Sequence, residues 1–178
     1  MRLRFLRIFS VGVGNLSEMK KGFLLLLLSS FAMASDGWNG TESRGGFSFA
    51  TLPGIGFFEG QTGLLFAASL GARISDEGLI PEVNDEVFVE ATLGPAVLSL
   101  GKVLLMSVHA RWNFHHQSQW GLYGLGGIGA VAGGPRLGNF FRVYPRFGVG
   151  GEVAVTEGLY LRTELSHELL VTGFSYHF

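Results

Sequence analysis

The 178-residue sequence has no cysteine, only five prolines and a charged fraction of 15%. A chain without cysteine cannot be held by a disulfide framework. The longest apolar stretch is about 13 residues, and a helix needs roughly 20 to span a bilayer. Beyond that stretch, no segment has convincing helical periodicity and no repeat has solenoid length. These absences argue against a disulfide-stapled domain, a helical membrane domain and a repeat protein.

The first 34 residues have the pattern of an export signal. A basic start at Met19-Lys20-Lys21 precedes the apolar run Phe23–Leu28, and Ala32-Met33-Ala34 follows. A positive start, a short apolar core and an A-x-A site predict a cleaved secretory signal peptide, with a membrane anchor as the alternative. Residues 1–18 are either upstream of a true start at Met19 or a longer charged leader. We therefore predict a mature single domain over residues 35–178.

The composition of this mature part favours strands and disfavours nucleic acid as a partner. It contains eight basic and thirteen acidic residues, whereas nucleic-acid-binding surfaces are basic. The whole chain has 28 glycines and 16 phenylalanines. Glycine weakens helices and aromatic residues favour strands, so the composition predicts an all-β protein.

The last ten residues, Leu169–Phe178, alternate strictly between two kinds of side chain. Such a period of two predicts a strand with unlike faces. One face is small or polar and the other is apolar and aromatic, the arrangement of a barrel strand between lumen and lipid. The apolar face consists of Leu170, Thr172, Phe174, Tyr176 and Phe178.

Seven further strands can be assigned from alternation and turn residues. The facing of residues 120–132 stays open, because that segment is rich in glycine. Pro53 and Pro145 predict bulges or positions near a rim, because proline cannot donate to a ladder. The eight predicted strands are Gly46–Phe58, Leu64–Ile74, Glu86–Leu98, Val103–Phe114, Trp120–Ala132, Phe141–Val155, Leu159–Ser166 and Leu169–Phe178.

The signal peptide, the even strand number and the last strand closed by Phe178 resemble the small OmpA/OmpX-type bacterial outer-membrane barrels. This resemblance implies an eight-stranded, antiparallel, up-and-down transmembrane barrel in the outer membrane of a Gram-negative bacterium, with both termini in the periplasm. It implies lipopolysaccharide and phospholipid as partners, and insertion by machinery that reads Phe174, Tyr176 and Phe178. We expect a monomer; residues 35–45 are left as either an extra strand or a plug.

Charged residues collect on the inward face of the predicted strands. Buried charges must be paired and hydrogen-bonded, so we predict a network that fills the barrel. Because eight strands leave room only for side chains, the lumen should be closed, with a gated ion path as the alternative. The predicted network comprises Arg73, Glu86, Glu90, Arg111, Arg142, Arg146, Glu152, Arg162 and Glu164.

Two other functions are open. Glu164, Ser166 and His167 form a weak catalytic candidate at an outer loop, as in barrel enzymes that deacylate lipid A. Adjacent strand residues face opposite sides, however, and the His-x-Ser-Asn pattern of those deacylases is missing. The third possibility is a soluble exported barrel that binds a lipid inside, like a lipocalin, which requires apolar faces inward and charged faces outward.

Neither a metal nor a cofactor is expected. His115 and His116 are adjacent, project oppositely on a strand and have no acid or cysteine at ligand spacing. Residues Gly124–Gly129 match G-x-G-x-x-G, but a dinucleotide site also needs a following helix, and Gly133-Gly134-Pro135 would end one at once. We interpret these residues as a turn flank and a tightly packed strand.

Overall fold

The structure is a computed structural model that describes residues 45–58, 60–75, 79–80, 83–116, 119–134 and 140–178. The predicted signal peptide, the two possible start sites and the segment 35–44 lie outside the described residues. Within the described part of the chain, no helix is long and apolar enough to cross a bilayer.

Eight antiparallel strands form a closed barrel in which each strand pairs with its neighbours in sequence. β1 also pairs with β8, from Ser48 opposite His177 to Gly56 opposite Leu169, which closes the sheet. The predicted all-β, eight-stranded, up-and-down fold is confirmed. The strands are β1 (Phe47–Phe58), β2 (Gln61–Ser75), β3 (Asp85–Leu98), β4 (Gly101–His116), β5 (Trp120–Gly134), β6 (Phe140–Thr156), β7 (Leu159–Ser166) and β8 (Leu169–His177).

The strands are staggered around the barrel. We can start at Gly150 on β6 and step from each residue to its partner on the next strand, through β7, β8 and β1 and on to β5. This path returns to β6 at Phe140, ten residues from where it began. A closed sheet with such a stagger has strands tilted to its axis, and with eight strands its interior is just wide enough for side chains. The inward residues therefore form a packed core.

Alternation along each strand separates an apolar exterior from the interior. Large apolar side chains such as Phe66 and Phe147 are more than half exposed on the outside, whereas Leu52 and Leu105 are buried inside. The facing of β5, left open by the sequence, is decided by its register with β4 and β6. Its Tyr123 lies inside and Ile128 lies outside.

The irregularities lie away from the prolines. Register shifts occur between Arg73 and Ser75 on β2 and between Ala154 and Thr156 on β6. Pro53 pairs with Phe66, and Pro145 pairs with Ile128, in unbroken register. Of the two placements expected, a bulge or a position near a rim, the bulge is found at neither proline. At each proline, the strand is continuously paired with only one of its two neighbours. Proline fits there because it has no backbone N–H to donate to a second strand.

The wall is lower where β7 and β8 meet. The β6–β7 ladder ends at Gly148 opposite Ser166, whereas the β5–β6 ladder continues to Phe140. β7 and β8 have 8 and 9 residues, against 17 in β6. We call the resulting gap above the β7–β8 turn the notch. It lies at the far end of the barrel, opposite the terminal end where β1 starts and β8 finishes.

Candidate functional site in the barrel lumen

Glu90 of β3 is the centre of a buried group of charges in the lumen. Arg162 of β7 donates from Nη1 and Nη2 to the two carboxylate oxygens of Glu90, at 3.0 and 2.8 Å. The Nε atom of Arg111, on β4, lies 3.0 Å from the same carboxylate. All three side chains have 0–1% exposure. Glu90 is thus a buried counter-charge that two guanidinium groups share.

A first branch runs from Arg111 toward the terminal end. Arg111 Nη1 donates to Glu152 of β6 at 2.7 Å, and Ser175 Oγ of β8 donates to the same oxygen at 3.1 Å. His177 Nε2 lies 3.4 Å from the other Glu152 oxygen. The branch therefore joins β4, β6 and β8 across the lumen.

A second branch runs from Arg162 toward the notch. Arg162 Nη2 lies 2.7 Å from Glu164, which also contacts Arg146 of β6. Arg146 Nε lies 3.1 Å from Glu168, and Glu168 lies 2.9 Å from Nδ1 of His167. Because the His167 side chain is 55% exposed, this branch of ion pairs extends from the lumen to the protein surface.

Tyr123 of β5 supports both central arginines. Its hydroxyl accepts from Arg162 Nε at 3.0 Å and donates to the Thr163 carbonyl at 3.1 Å. The guanidinium carbons of Arg111 and Arg162 lie 5.4 and 5.0 Å from its ring centre, within cation–π range. Gly150 makes room for the ring, since a Cβ there would lie 2.2 Å from Tyr123 Cζ. The sequence missed Tyr123 because the facing of β5 was unassigned.

A separate charged group lies nearer the terminal end. Glu86 contacts Arg73 at 3.5 Å, accepts from Asn113 at 3.2 Å and lies 2.5 Å from His115 Nε2. Alternation on β3 and β4 explains the placement, since Glu86, Asn113 and His115 occupy inward positions. The histidine and amide partners were not among the predicted network residues.

The far half of the lumen is apolar. Residues from β1 to β5 and β8 form one buried cluster, with Phe140 and Tyr144 packed against it. The expectation that charges fill the whole barrel is therefore corrected: they fill the terminal half and one side. The sequence contained the signal, because inward positions near the far end are aliphatic. The cluster comprises Ala50, Leu52, Phe58, Leu65, Ala67, Ala96, Leu98, Val103, Leu105, Val131, Leu169 and Val171.

Arg142 differs from the other predicted network residues in its exposure. It occupies an inward position of β6, as Arg146 does, but it is exposed. The reason is its place beyond Gly148, where β7 has already ended and no wall covers the side chain. Eight of the nine predicted residues are brought into the two charged groups, and Arg142 lies at the notch. Three further residues join the groups without having been predicted: Glu168, His177, and His109, whose Nε2 lies 3.7 Å from Glu90.

The weak catalytic candidate is not assembled as a triad. Ser166 Oγ is buried and has no hydrogen-bond partner, while His167 Nδ1 pairs with Glu168. Glu164 contacts Arg146 and Arg162 instead. A nucleophilic serine needs a base within hydrogen-bond reach, and this arrangement does not supply one.

The two other sequence patterns also have structural explanations. His115 contacts Glu86 inside the barrel, while His116 stacks on Trp120 with ring centres 4.9 Å apart. Residues 124–129 lie within β5, so no helix follows the glycines. Among the described residues, no group of three or more histidine or acidic side chains is placed to hold a metal ion.

The C-terminal residues complete the sheet. Phe47 and Phe178 exchange two backbone hydrogen bonds, of 2.9 and 3.0 Å, and their rings stack with centres 6.1 Å apart. Phe174, Tyr176 and Phe178 face outward with exposures of 50, 49 and 59%. The three residues predicted as an assembly signal thus form one aromatic row beside the β1–β8 seam.

Comparison with known proteins identifies the fold. No family model and no curated protein matches the sequence. The N-terminal barrel domain of Pseudomonas aeruginosa OprF matches over 76% of this chain and 100% of that domain, with 14% identity and a TM-score of 0.52. Neisserial surface protein A matches over 77% and 100%, with 18% identity and a TM-score of 0.49. Yersinia pestis Ail matches over 75% and 99%, with 13% identity and a TM-score of 0.47. The likeness to the OprF domain shows that this chain has the same kind of barrel fold.

Proposed function

We propose that this protein is an integral outer-membrane β-barrel with a closed lumen and a structural or interaction role. The main support for the proposal is that the outer surface of the barrel is apolar while charged side chains are buried inside it. Phe141, Val143 and Phe147 are more than 60% exposed outside, while Arg111 and Glu90 are fully buried inside. In water, such a continuous apolar exterior promotes association, whereas in a bilayer it faces hydrocarbon. The soluble lipid-binding alternative requires the opposite orientation.

Export and insertion follow from the two ends of the chain. Residues 19–34 direct secretion, and residues 35–178 form the mature barrel. The outward row of Phe174, Tyr176 and Phe178 is the segment that barrel insertion machinery reads. Phospholipid and lipopolysaccharide surround the protein as a monomer in the outer membrane of a Gram-negative bacterium, with the terminal end toward the periplasm.

The lumen does not serve as a pore in this proposal. The apolar cluster occupies its far half, and the ion-paired network occupies the rest. Opening a path would separate buried charges from their partners, which costs several kcal/mol for each ion. Neither a cofactor nor nucleic acid takes part, and the absence of a Ser166–His167 contact gives no support to a lipid deacylase.

Cell fractionation tests the membrane assignment. The full-length chain, expressed in a Gram-negative host, should appear in the outer-membrane fraction and migrate faster on gels before boiling than after. Recovery as a monodisperse protein without detergent would instead support a soluble barrel. The N-terminus of the recovered protein, read by mass spectrometry, should correspond to cleavage after Ala34.

Conductance measurements test the closed lumen separately. Purified protein in planar bilayers should give no stable single-channel steps. Steps that disappear when Glu90 is replaced, and that persist in a matched surface variant, would reinstate the ion path.

A further inference from the structure

We propose that the outer face of the barrel, from β5 to β8, binds the acyl chain of a membrane lipid that carries a hydroxyl group on that chain. The proposal rests on the proposed outer-membrane location, in which this face meets lipid hydrocarbon. Two neighbouring features of the face support it. One is a shallow apolar groove, and the other is a group of hydrogen-bonding atoms at the edge of that groove.

The groove lies over β5, β6 and β7 and has a volume of about 290 Å³. Its floor is Gly151 of β6, which pairs with Leu122 on one side and with Thr163 on the other. Because glycine has no side chain, the outer surface is lower there than along the neighbouring rows of large apolar residues. We call this depression the outer groove. Its outward-facing lining residues are Trp120, Leu122, Gly151, Val153, Leu161 and Thr163.

The edge of the outer groove carries two hydroxyl groups on the lipid-facing surface. Thr163 Oγ1 and Thr172 Oγ1 lie 3.1 Å apart, and both side chains are exposed. Each hydroxyl has one proton and two lone pairs, so the single bond between them leaves one O–H and several lone pairs unused. Hydrocarbon offers no partner for such groups, whereas a polar group on a lipid chain does.

A backbone acceptor beside this threonine pair lacks its usual donor. Phe57 N donates to the Glu168 carbonyl, and in an antiparallel ladder every second residue of β1 points its N–H to β8 in the same way. Pro53, four residues before Phe57, occupies such a position opposite Thr172, and the β1–β8 ladder is interrupted there. Proline has no N–H. The Thr172 carbonyl is therefore left without a ladder donor in the middle of an apolar surface.

These atoms fit a neutral hydroxyl group better than any charged group. None of the outward-facing residues that line the outer groove is charged. A ligand hydroxyl can donate to the Thr172 carbonyl, since carbonyl oxygens accept over a broad range of directions, and can accept from a threonine hydroxyl. Its alkyl chain then lies over Gly151. An acyl chain without a hydroxyl fills the same groove but leaves the carbonyl without a donor.

The test is lipid retention by the full-length protein, purified in detergent and measured by native mass spectrometry. The probes are two phosphatidylethanolamines of equal chain length, one with 3-hydroxyacyl chains and one with unsubstituted chains. The wild type should retain the hydroxylated lipid about three- to tenfold more strongly, the range expected for one or two hydrogen bonds within a membrane.

The double variant Thr163→Val, Thr172→Val should lose this preference, because valine keeps the shape of threonine without its hydroxyl. Thr62→Val is the matched control, since Thr62 is an exposed outward threonine on β2, away from the outer groove. It should bind like the wild type. Pro53→Ala tests the carbonyl independently: it supplies the missing N–H to Thr172 and should reduce the preference without removing either hydroxyl.

Filling the outer groove tests the position of the chain. At Gly151 a Cβ meets no atom closer than 3.3 Å, so the barrel tolerates Gly151→Val while the new side chain occupies the floor. Retention of both lipids should fall. Gly126→Val is the control on β5, where a Cβ meets only the Phe147 ring, at 3.6 Å or more. It should leave retention unchanged.

Equal retention of the two lipids by the wild type would overturn the proposal, as would an unchanged preference in the threonine double variant. Heat-modifiable gel mobility shows that each variant is folded. Outer-membrane fractionation separates this proposal from the proposed location. A wild-type protein found outside that fraction would reject the location, whereas normal fractionation without a lipid preference would reject the outer groove alone.

Discussion

Arg162 on β7 and Glu90 on β3 form a two-point ion pair across the lumen, with N–O distances of 3.0 and 2.8 Å. The residues are 72 positions apart in sequence and both are fully buried. The pair therefore exists only when the barrel is closed. It links two strands that are not hydrogen-bonded to each other. Loss of this ion pair should therefore lower the stability of the whole barrel.

Replacing Glu90 by Gln should strongly destabilise the barrel. The substitution keeps the shape of the side chain but leaves Arg111 and Arg162 without a shared counter-charge. Breaking a buried pair in this way costs about 3–5 kcal/mol in free energy of unfolding. Urea unfolding in lipid vesicles, followed by tryptophan fluorescence, measures this loss in free energy of unfolding. Glu157→Gln, the same change in the exposed β6–β7 turn, is the control, and equal midpoints for the two variants would contradict the prediction.

The apolar cluster should contribute to stability on a similar scale. Leu105 has 0% exposure inside the barrel, so Leu105→Ala leaves a cavity and should cost about 2–5 kcal/mol. Leu104, its outward neighbour on β4, is 36% exposed, and Leu104→Ala should cost less than half as much. The same unfolding experiment compares the pair. A larger loss for Leu104→Ala would mean that the cluster is not a core.

Gly150→Ala should disturb the network through Tyr123. The new methyl group would lie 2.2 Å from Tyr123 Cζ and 2.4 Å from the Thr163 carbonyl oxygen, so side chain or backbone must move. Such overpacking costs about 1–3 kcal/mol. At Gly124 on the outward face of β5, a Cβ meets nothing within 4 Å, and Gly124→Ala should leave the unfolding midpoint unchanged. Similar midpoints for both variants would argue against the close approach of Tyr123.

Phe178→Ala should impair assembly in cells more than it alters the folded barrel. The substitution removes the stacked contact with Phe47 and the end of the aromatic row, while the two backbone hydrogen bonds remain possible. We expect a smaller outer-membrane fraction and more degraded or periplasmic protein by immunoblot. Phe141→Ala removes an equally exposed outward aromatic residue from β6 and serves as the control. Equal losses would show that the terminal position has no special role.

The periodicity of the chain was sufficient to predict most of the fold. A period of two needs no knowledge of neighbours, so the strands, their lipid-side faces and the inward position of Glu90, Arg111 and Arg162 followed from local pattern alone. The pattern was weak in β5, where glycines carry no facing signal. There only the register with β4 and β6 decides that Tyr123 points inward.

The tertiary structure alone decided which inward residues meet and which reach the surface. The stagger and the lengths of the strands determine where along the barrel axis each side chain lies. Neither can be derived from the alternation of apolar and polar residues in the sequence. That is why Arg142 and Arg146, alike in pattern, differ in burial, and why Glu168 from a turn completes the network. Local sequence thus determined the side on which each residue lies, while closure of the barrel determined its partners, because those contacts join residues that are distant along the chain.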